Sequence, residues 1–208
     1  MEGDQSRYSI LEKRINEILE NFSFSVDPLN PPTEKQEDYI RAMVVLCHAE
    51  FEDYIEQLAC MLIEEGKNRW VSEGIANKNI ASLFMNTEKM KNDPQMRPMN
   101  TTSFAMKTIS DFSNIVKNGN HGIKSKNIED MYKPLGYDID KFNQDFLNEL
   151  DAFGLERGKI AHTSSYRTTS KLDLRTEVDK IKRVLRGIKD FEDEVIQKSG
   201  SLNEKNYV

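Results

Sequence analysis

Apolar residues recur at spacings of three and four along most of the chain, which predicts a series of amphipathic helices. The first of these stripes runs from Arg7 to Phe22, and its helix must end before Pro28. Thr33 followed by Gln36 has the form of a capping box. A long second helix is therefore expected from this point to Gly66.

The middle of the chain shows shorter stretches of the same periodicity. They predict one helix at about Ile80 to Lys91 and another from Ser103 to Val116. The sequence from Asn118 to Gly122 is rich in turn residues and predicts a loop. Ser125 is then expected to cap a short helix that stops at Pro134.

Two further helices are predicted in the last third of the chain, from Asp138 towards Ala161 and from about Asp173 to Val195. The polar stretch from Thr163 to Thr169 predicts a loop between them. No alternating pattern of apolar and polar residues is long enough to predict a β-strand. We expect an all-α, up-and-down helical bundle in a single domain of residues 1–208, with an N-terminal helix and linker over residues 1–30 and a flexible tail at 199–208.

Composition and the cysteines narrow the functional classes. The chain has 208 residues, 38% of them hydrophobic, which is enough to bury a core without disulfides. It shows neither a signal-peptide pattern nor a membrane-spanning run, so a cytoplasmic location and no membrane partner are expected. Cys47 and Cys60 fall in one predicted helix, too far apart for a disulfide. The His and Cys residues are too scattered to predict a metal site. The sequence also has no Gly-rich phosphate loop, so no cofactor is expected.

Charge is distributed unevenly along the chain. The net charge of −6 argues against non-specific binding to nucleic acid. The segment from Arg157 to Arg186 nevertheless carries +6, which leaves −12 for the remainder. This segment is either a surface that attracts phosphate or one solvated face of a charged helix.

Arg157 and His162 are the candidates for chemistry, at the point where an apolar stripe gives way to a polar loop. The negative end of a helix dipole favours a protonated imidazole, and arginine offers a fork of donors that suits phosphate. Together they suit phosphodiester cleavage. On a straight helix, however, residues five apart point about 140° apart. Both can reach one substrate only if the helix frays or Arg157 bends back, and Gly158 makes such an irregularity easier. His121, the alternative catalytic histidine, is explained as well by a turn.

Three segments carry a resemblance to a known family. Arg157-Gly158-Lys159-Ile160-Ala161-His162 resembles the R-x4-6-H signature of HEPN domains. The segment from Leu46 to Leu58 is similar to the acidic and aromatic part of that family's early core helix, and Asn120 to Gly136 resembles the RiboL-PSP-HEPN subgroup. The resemblance covers about Tyr39 to Val195.

The resemblance implies an HEPN-type bundle with additional helices that dimerises so that two motifs face each other in a cleft. It also implies metal-independent RNA cleavage by a toxin or antiphage defence effector. Arg157 would bind the phosphate, His162 would transfer a proton, and Glu52 would be the acidic partner that orients the site. Further contacts to the RNA substrate are expected from Lys159, Tyr166 and Arg167.

Two departures from the family pattern concern the site. Gly158 stands where many members have a polar side chain, and Ser164 stands where a tyrosine is often found. Two other functions therefore stay open. One is a non-catalytic HEPN module for protein interaction, dimerisation or nucleic-acid binding, and the other is an antitoxin or immunity component that neutralises another nuclease. Besides RNA and a second copy of the chain, an antitoxin or a defence-system protein is an expected partner.

Overall fold

The structure is a computed structural model that describes residues 6–25, 30–86, 100–119, 122–162 and 171–199. These residues form seven α-helices and one 3-10 turn, with no strand among them, which confirms the all-α prediction. None of the described helices has the length and apolar character needed to cross a bilayer. The helices are α1 (Arg7–Asn21), α2 (Glu34–Glu73), α3 (Lys78–Met85), α4 (Thr101–Gly119), α5 (Ser125–Tyr132), α6 (Gln144–His162) and α7 (Leu174–Ser199), and the 3-10 turn is Ile139–Lys141.

The 40-residue helix α2 is the centre of the bundle, and each of the other six helices packs against it. Its apolar residues join those of its neighbours in one continuous core that extends from Leu11 to Val195. Burial of this shared core holds the helices in place, since short helices are marginal in water by themselves. The framework that results fixes the relative positions of side chains on α2 and α6.

The helix starts follow from local capping. The predicted capping box is present, because Thr33 accepts from the N–H of Gln36 at 3.3 Å and the Gln36 side chain accepts from the N–H of Thr33 at 2.8 Å. Asp173 caps α7 by accepting from the N–H of Thr176 at 2.8 Å. These contacts satisfy N–H groups that have no partner inside the helix.

The predicted end of α2 at Gly66 is wrong. The helix continues to Glu73 and ends at Gly74, which adopts φ 69°. Gly66 is buried, and a Cβ there would lie 2.3 Å from Cγ1 of Ile80. The glycine thus serves the close approach of α3 to α2, and Gly74 supplies the left-handed stop.

We expect Gly66→Ala to lower the free energy of unfolding by about 1–3 kcal/mol, because the methyl group overlaps Ile80. Gly158→Ala is the matched control. A Cβ at Gly158 meets nothing within 4 Å, so this change should stabilise the helix by roughly 0.5–1 kcal/mol. Urea unfolding of both variants checks the pair, and a Gly66→Ala protein as stable as the wild type would show that α3 does not pack as described.

Other predicted boundaries also shift. Helix α3 begins at Lys78, not Ile80, and the end predicted at Lys91 lies outside the described residues. Helix α4 extends through Gly119 into the predicted loop. Helix α6 begins at Gln144, not Asp138, because Asn143 accepts the N–H groups of the first turn.

Ser125 does not cap α5, contrary to the prediction. It is the first helical residue, and its N–H and hydroxyl both donate to Asp151 on α6, at 2.7 and 2.9 Å. A carboxylate from a different helix therefore caps α5. This contact fixes the segment that follows Gly122 against the middle of α6.

The two cysteines are free thiols, as predicted. Cys47 is fully buried in α2, and burial raises the pKa of its thiol to about 12. Burial also raises the pKa of Cys60. Because the thiolate is the reactive form, neither residue is a candidate nucleophile at neutral pH.

Candidate functional site

Helix α6 directs Arg157 towards the interior of the bundle. Leu150, Phe153 and Gly154 are buried on one stripe of this helix, and Arg157 continues the stripe one turn later. The arginine is half-buried, and its Nε has no hydrogen-bond partner among the described residues. Its charge acts on Glu52 of α2. The structure thus brings together the arginine and the acidic residue that were singled out in the sequence.

Glu52 is held in its ionised form by the groups around it. The imidazole of His48 holds the pKa of this carboxyl below its usual range, and the charge of Arg157 and a hydrogen bond from the Gly122 N–H act in the same direction. These effects outweigh desolvation, which would raise the pKa. The carboxylate therefore binds the segment before α5 and attracts the guanidinium on α6.

His48 is a component of the site that the sequence analysis missed. It is 2% exposed and stands one turn before Glu52 on α2, with Nδ1 3.5 Å from Oε2 of the carboxylate. Its ring lies at 23° to that of Phe153, with 6.1 Å between the centroids. The spacing of four residues between a histidine and a glutamate on one helix was the available signal.

The segment from Gly122 to Lys124 closes one side of the site. Gly122 has φ 135°, a conformation that favours glycine, and directs its N–H to Glu52. The aliphatic part of Lys124 lies against Gly154, and a Cβ added to that glycine would be 3.0 Å from Cγ of the lysine. Gly154 is one turn before Arg157, so this exposed lysine adds positive charge to the same face of α6. Sequence periodicity gave no indication of it.

His162 lies on the opposite, outer stripe of α6. It is exposed, and it follows the exposed residues Leu155 and Lys159 at helical spacing. Helix α6 is continuous through His162, so no irregularity near Gly158 brings the two residues to one side. Within one chain the two motif residues therefore point in directions about 140° apart, and the structure does not bring His162 to Glu52 and Arg157.

Comparison with family models places these residues in a known context. The RiboL-PSP-HEPN model matches residues 9–193. The chain belongs to the RiboL-PSP-HEPN family. Searches of curated proteins and of solved structures gave no match. The region matched by the HEPN model includes all of the described site.

The remaining candidates of the HEPN motif region are placed as follows. Lys159 is exposed on the outer stripe of α6. Tyr166, Arg167 and His121 lie outside the described residues. In the described part of the chain, no three His, Cys, Asp or Glu side chains are grouped so that they could hold a metal ion.

The basic segment of the HEPN domain is partly neutralised by neighbouring helices. Lys180 lies between Glu156 and Glu177, at 2.9 and 2.8 Å, and Arg183 pairs with Glu149. Burial raises the pKa of the Glu177 carboxyl, although the ammonium of Lys180 opposes this. Two of the nine cations counted in the segment thus join α6 to α7. Exposed cations without such a pairing on α7 include Arg175, Lys182 and Arg186.

The ionised state of Glu52 predicts a pH-dependent contribution to stability. A carboxyl whose pKa is lower in the folded than in the unfolded chain stabilises the fold above its unfolded pKa of about 4.3. That contribution is lost as the pH falls through the folded pKa. We expect Glu52→Gln to cost about 1–2 kcal/mol at pH 7, and the difference from wild type should shrink towards pH 3.

Urea titrations at the two pH values measure this difference. Asp53→Asn is the matched control, since Asp53 is the next residue on α2 and is exposed. It should change stability by no more than about 0.5 kcal/mol at either pH. A Glu52→Gln deficit that is equally large at pH 3 would mean that the carboxylate charge does not stabilise the fold.

Proposed function

We propose that this HEPN protein is an endoribonuclease that cleaves RNA without a metal ion, at a site composed of two copies of the chain. The observation that carries the proposal is the grouping of Arg157 with Glu52 and His48 at the contact of α6 with α2. The Nε of this guanidinium has no hydrogen-bond partner among the described residues, so N–H donors remain for a phosphate. The family resemblance extends the proposal to a role as a toxin or antiphage defence effector.

The proposed reaction is transesterification within the RNA. The 2′-oxygen attacks the adjacent phosphorus, the bond from phosphorus to the 5′-oxygen breaks, and a proton passes from the 2′-hydroxyl to the leaving oxygen. His162 transfers a proton at one of these oxygens, and Arg157 stabilises the charge that builds on the phosphate. The products are a 2′,3′-cyclic phosphate and a 5′-hydroxyl end.

The directions of the two side chains support a site that takes residues from two copies of the chain. Arg157 faces α2 and His162 faces outward from the far side of the same helix. The outer stripe that ends at His162 also carries Leu155, which is 52% exposed. In a two-fold dimer built around this stripe, Arg157 of each chain would share a phosphate with His162 of the other.

The direct test compares wild type with His162→Ala, both in cells and as purified protein with total RNA and tRNA. The wild type should inhibit growth and cleave RNA in the presence of EDTA, with cyclic phosphate ends, and the variant should do neither. An RNA with deoxyribose at the cleaved position should resist cleavage. A non-toxic wild type that leaves total RNA and tRNA intact would refute the proposal.

A second candidate is a non-catalytic HEPN module that binds a partner protein or nucleic acid. The half-burial of Arg157 and its attraction to Glu52 favour this candidate, because such an arginine can stabilise the fold without any role in catalysis. Under this proposal Arg157→Ala would lower stability, and no cleavage would be present to lose. RNA cleavage by the wild type would exclude it.

A further inference from the structure

The Nδ1 of His48 has one ionic contact among the described residues. It is buried, lies 3.5 Å from Oε2 of Glu52 and makes no hydrogen bond of good geometry in the described structure. A buried polar nitrogen without a partner costs about 1–3 kcal/mol. The electrostatic contact with Glu52 offsets part of this cost and ties the imidazole to the carboxylate.

The ring of His48 is also fixed from the side of α6. Phe153 lies nearly parallel to it, and the same phenylalanine packs on Phe51 with ring centroids 5.9 Å apart. Both phenylalanines are buried. Phe153 precedes Arg157 by one turn of α6, so the residue that orients the imidazole and the arginine of the site belong to one rigid helix. The imidazole has little freedom to turn away from Glu52.

We propose that His48 is a positioning residue of the RNA-cleaving site: it fixes the Glu52 carboxylate, whose charge attracts the Arg157 guanidinium, in the place from which that attraction orients Arg157 for a phosphate. This inference rests on the proposed nuclease function. Among the described residues, the charged group in contact with His48 is Glu52 on its own helix, and Arg157 on α6 acts on the same carboxylate. The lowered pKa of Glu52, to which His48 makes the largest contribution, agrees with this arrangement.

Three variants test the role. His48→Leu removes the nitrogen and keeps an apolar side chain against Phe153, whereas His48→Asn keeps an N–H donor close to the place of Nδ1. Cys47→Ala is the matched control, because Cys47 is the neighbouring residue, is equally buried and is not part of the site. The readouts are the pKa of Glu52, from the carbon-13 shift of its carboxyl carbon, and the rate of RNA cleavage.

We expect His48→Leu to raise the pKa of Glu52 and to lower kcat by about tenfold to a hundredfold, the usual effect of a misplaced catalytic group. His48→Asn should recover most of both quantities, and Cys47→Ala should change neither. An unchanged pKa of Glu52 in His48→Leu would overturn the proposal. So would a raised pKa with full cleavage activity.

The nuclease function and the role of His48 fail in different ways. If the wild type cleaves no RNA, the proposed function is refuted, and with it a role for His48 in cleavage, whatever the pKa of Glu52.

If His48→Leu does not fold, two other measurements replace this variant. They are the nitrogen-15 shift of Nδ1 in wild type and in Glu52→Gln, and the cleavage rate of His48→Asn. An Nδ1 shift that is the same in both proteins would overturn the proposal, and a changed shift with preserved activity of His48→Asn would support it.

Discussion

Arg157→Ala is expected to reduce kcat/KM for RNA cleavage by about a hundredfold to a thousandfold, the loss typical when one donor to a transition-state oxyanion is removed. At the contact of α6 with α2, the guanidinium offers the planar fork of donors that suits a phosphate. Arg157→Lys keeps the charge and loses the planar fork, so it should recover only part of the rate. Initial rates on a short RNA measure both variants.

Arg69→Ala is the control for loss of an arginine. Arg69 pairs with Glu73 on the exposed surface at the far end of α2, at 3.1 Å, and surface pairs of this kind contribute little to stability. This variant should cleave RNA at the wild-type rate. An Arg157→Ala protein that remains within a few-fold of wild type would show that the arginine has a structural role only.

His162→Ala is expected to lower the cleavage rate by about a hundredfold to ten-thousandfold, the range associated with a general acid or base. Its stability should stay within about 0.5 kcal/mol of wild type, because the side chain is exposed at the last residue of α6. Rates and urea unfolding on the same preparations measure both effects. Loss of activity together with a large loss of stability would indicate a structural histidine.

The helices were predictable from the sequence because each buries one apolar stripe. The start of α2 at Thr33 was also predictable, because its signal, the capping box, lies within four residues. The end of α2 was not predictable from such a local signal. Gly66 reads as a stop, but it is a packing position whose neighbour, Ile80, comes from another helix. Gly74, eight residues later, has the conformation that a stop requires.

The same limit applies to the start of α5. The residue that satisfies the N–H of Ser125 is Asp151, 26 positions away. Side chains such as Asp151 are brought to a helix end by tertiary packing, and a local motif cannot specify them. The error at Ser125 and the error at Gly66 therefore have one cause, which is a contact between separate helices.

The site was predictable only in part, because some of its contacts also join separate helices. Arg157, His162 and Glu52 were singled out from a motif and a resemblance, and the structure brings two of the three together. His48 had a local signal in its spacing from Glu52, but its burial against Phe153 depends on the packing of α6 on α2. The donor at Gly122 is a backbone N–H, which every residue except proline has, so the sequence gives no signal for it.

The sharpest test of the site is complementation between two inactive variants. Arg157→Ala and His162→Ala are co-expressed with different affinity tags, and the mixed dimer is isolated by successive purification on both tags. If Arg157 of one chain acts with His162 of the other, the mixed dimer keeps one of its two symmetry-related pairs intact and should show about half of the wild-type activity. Each variant alone should be inactive. An inactive mixed dimer, or a wild-type chain that cleaves RNA as a monomer, would contradict a site shared between two chains.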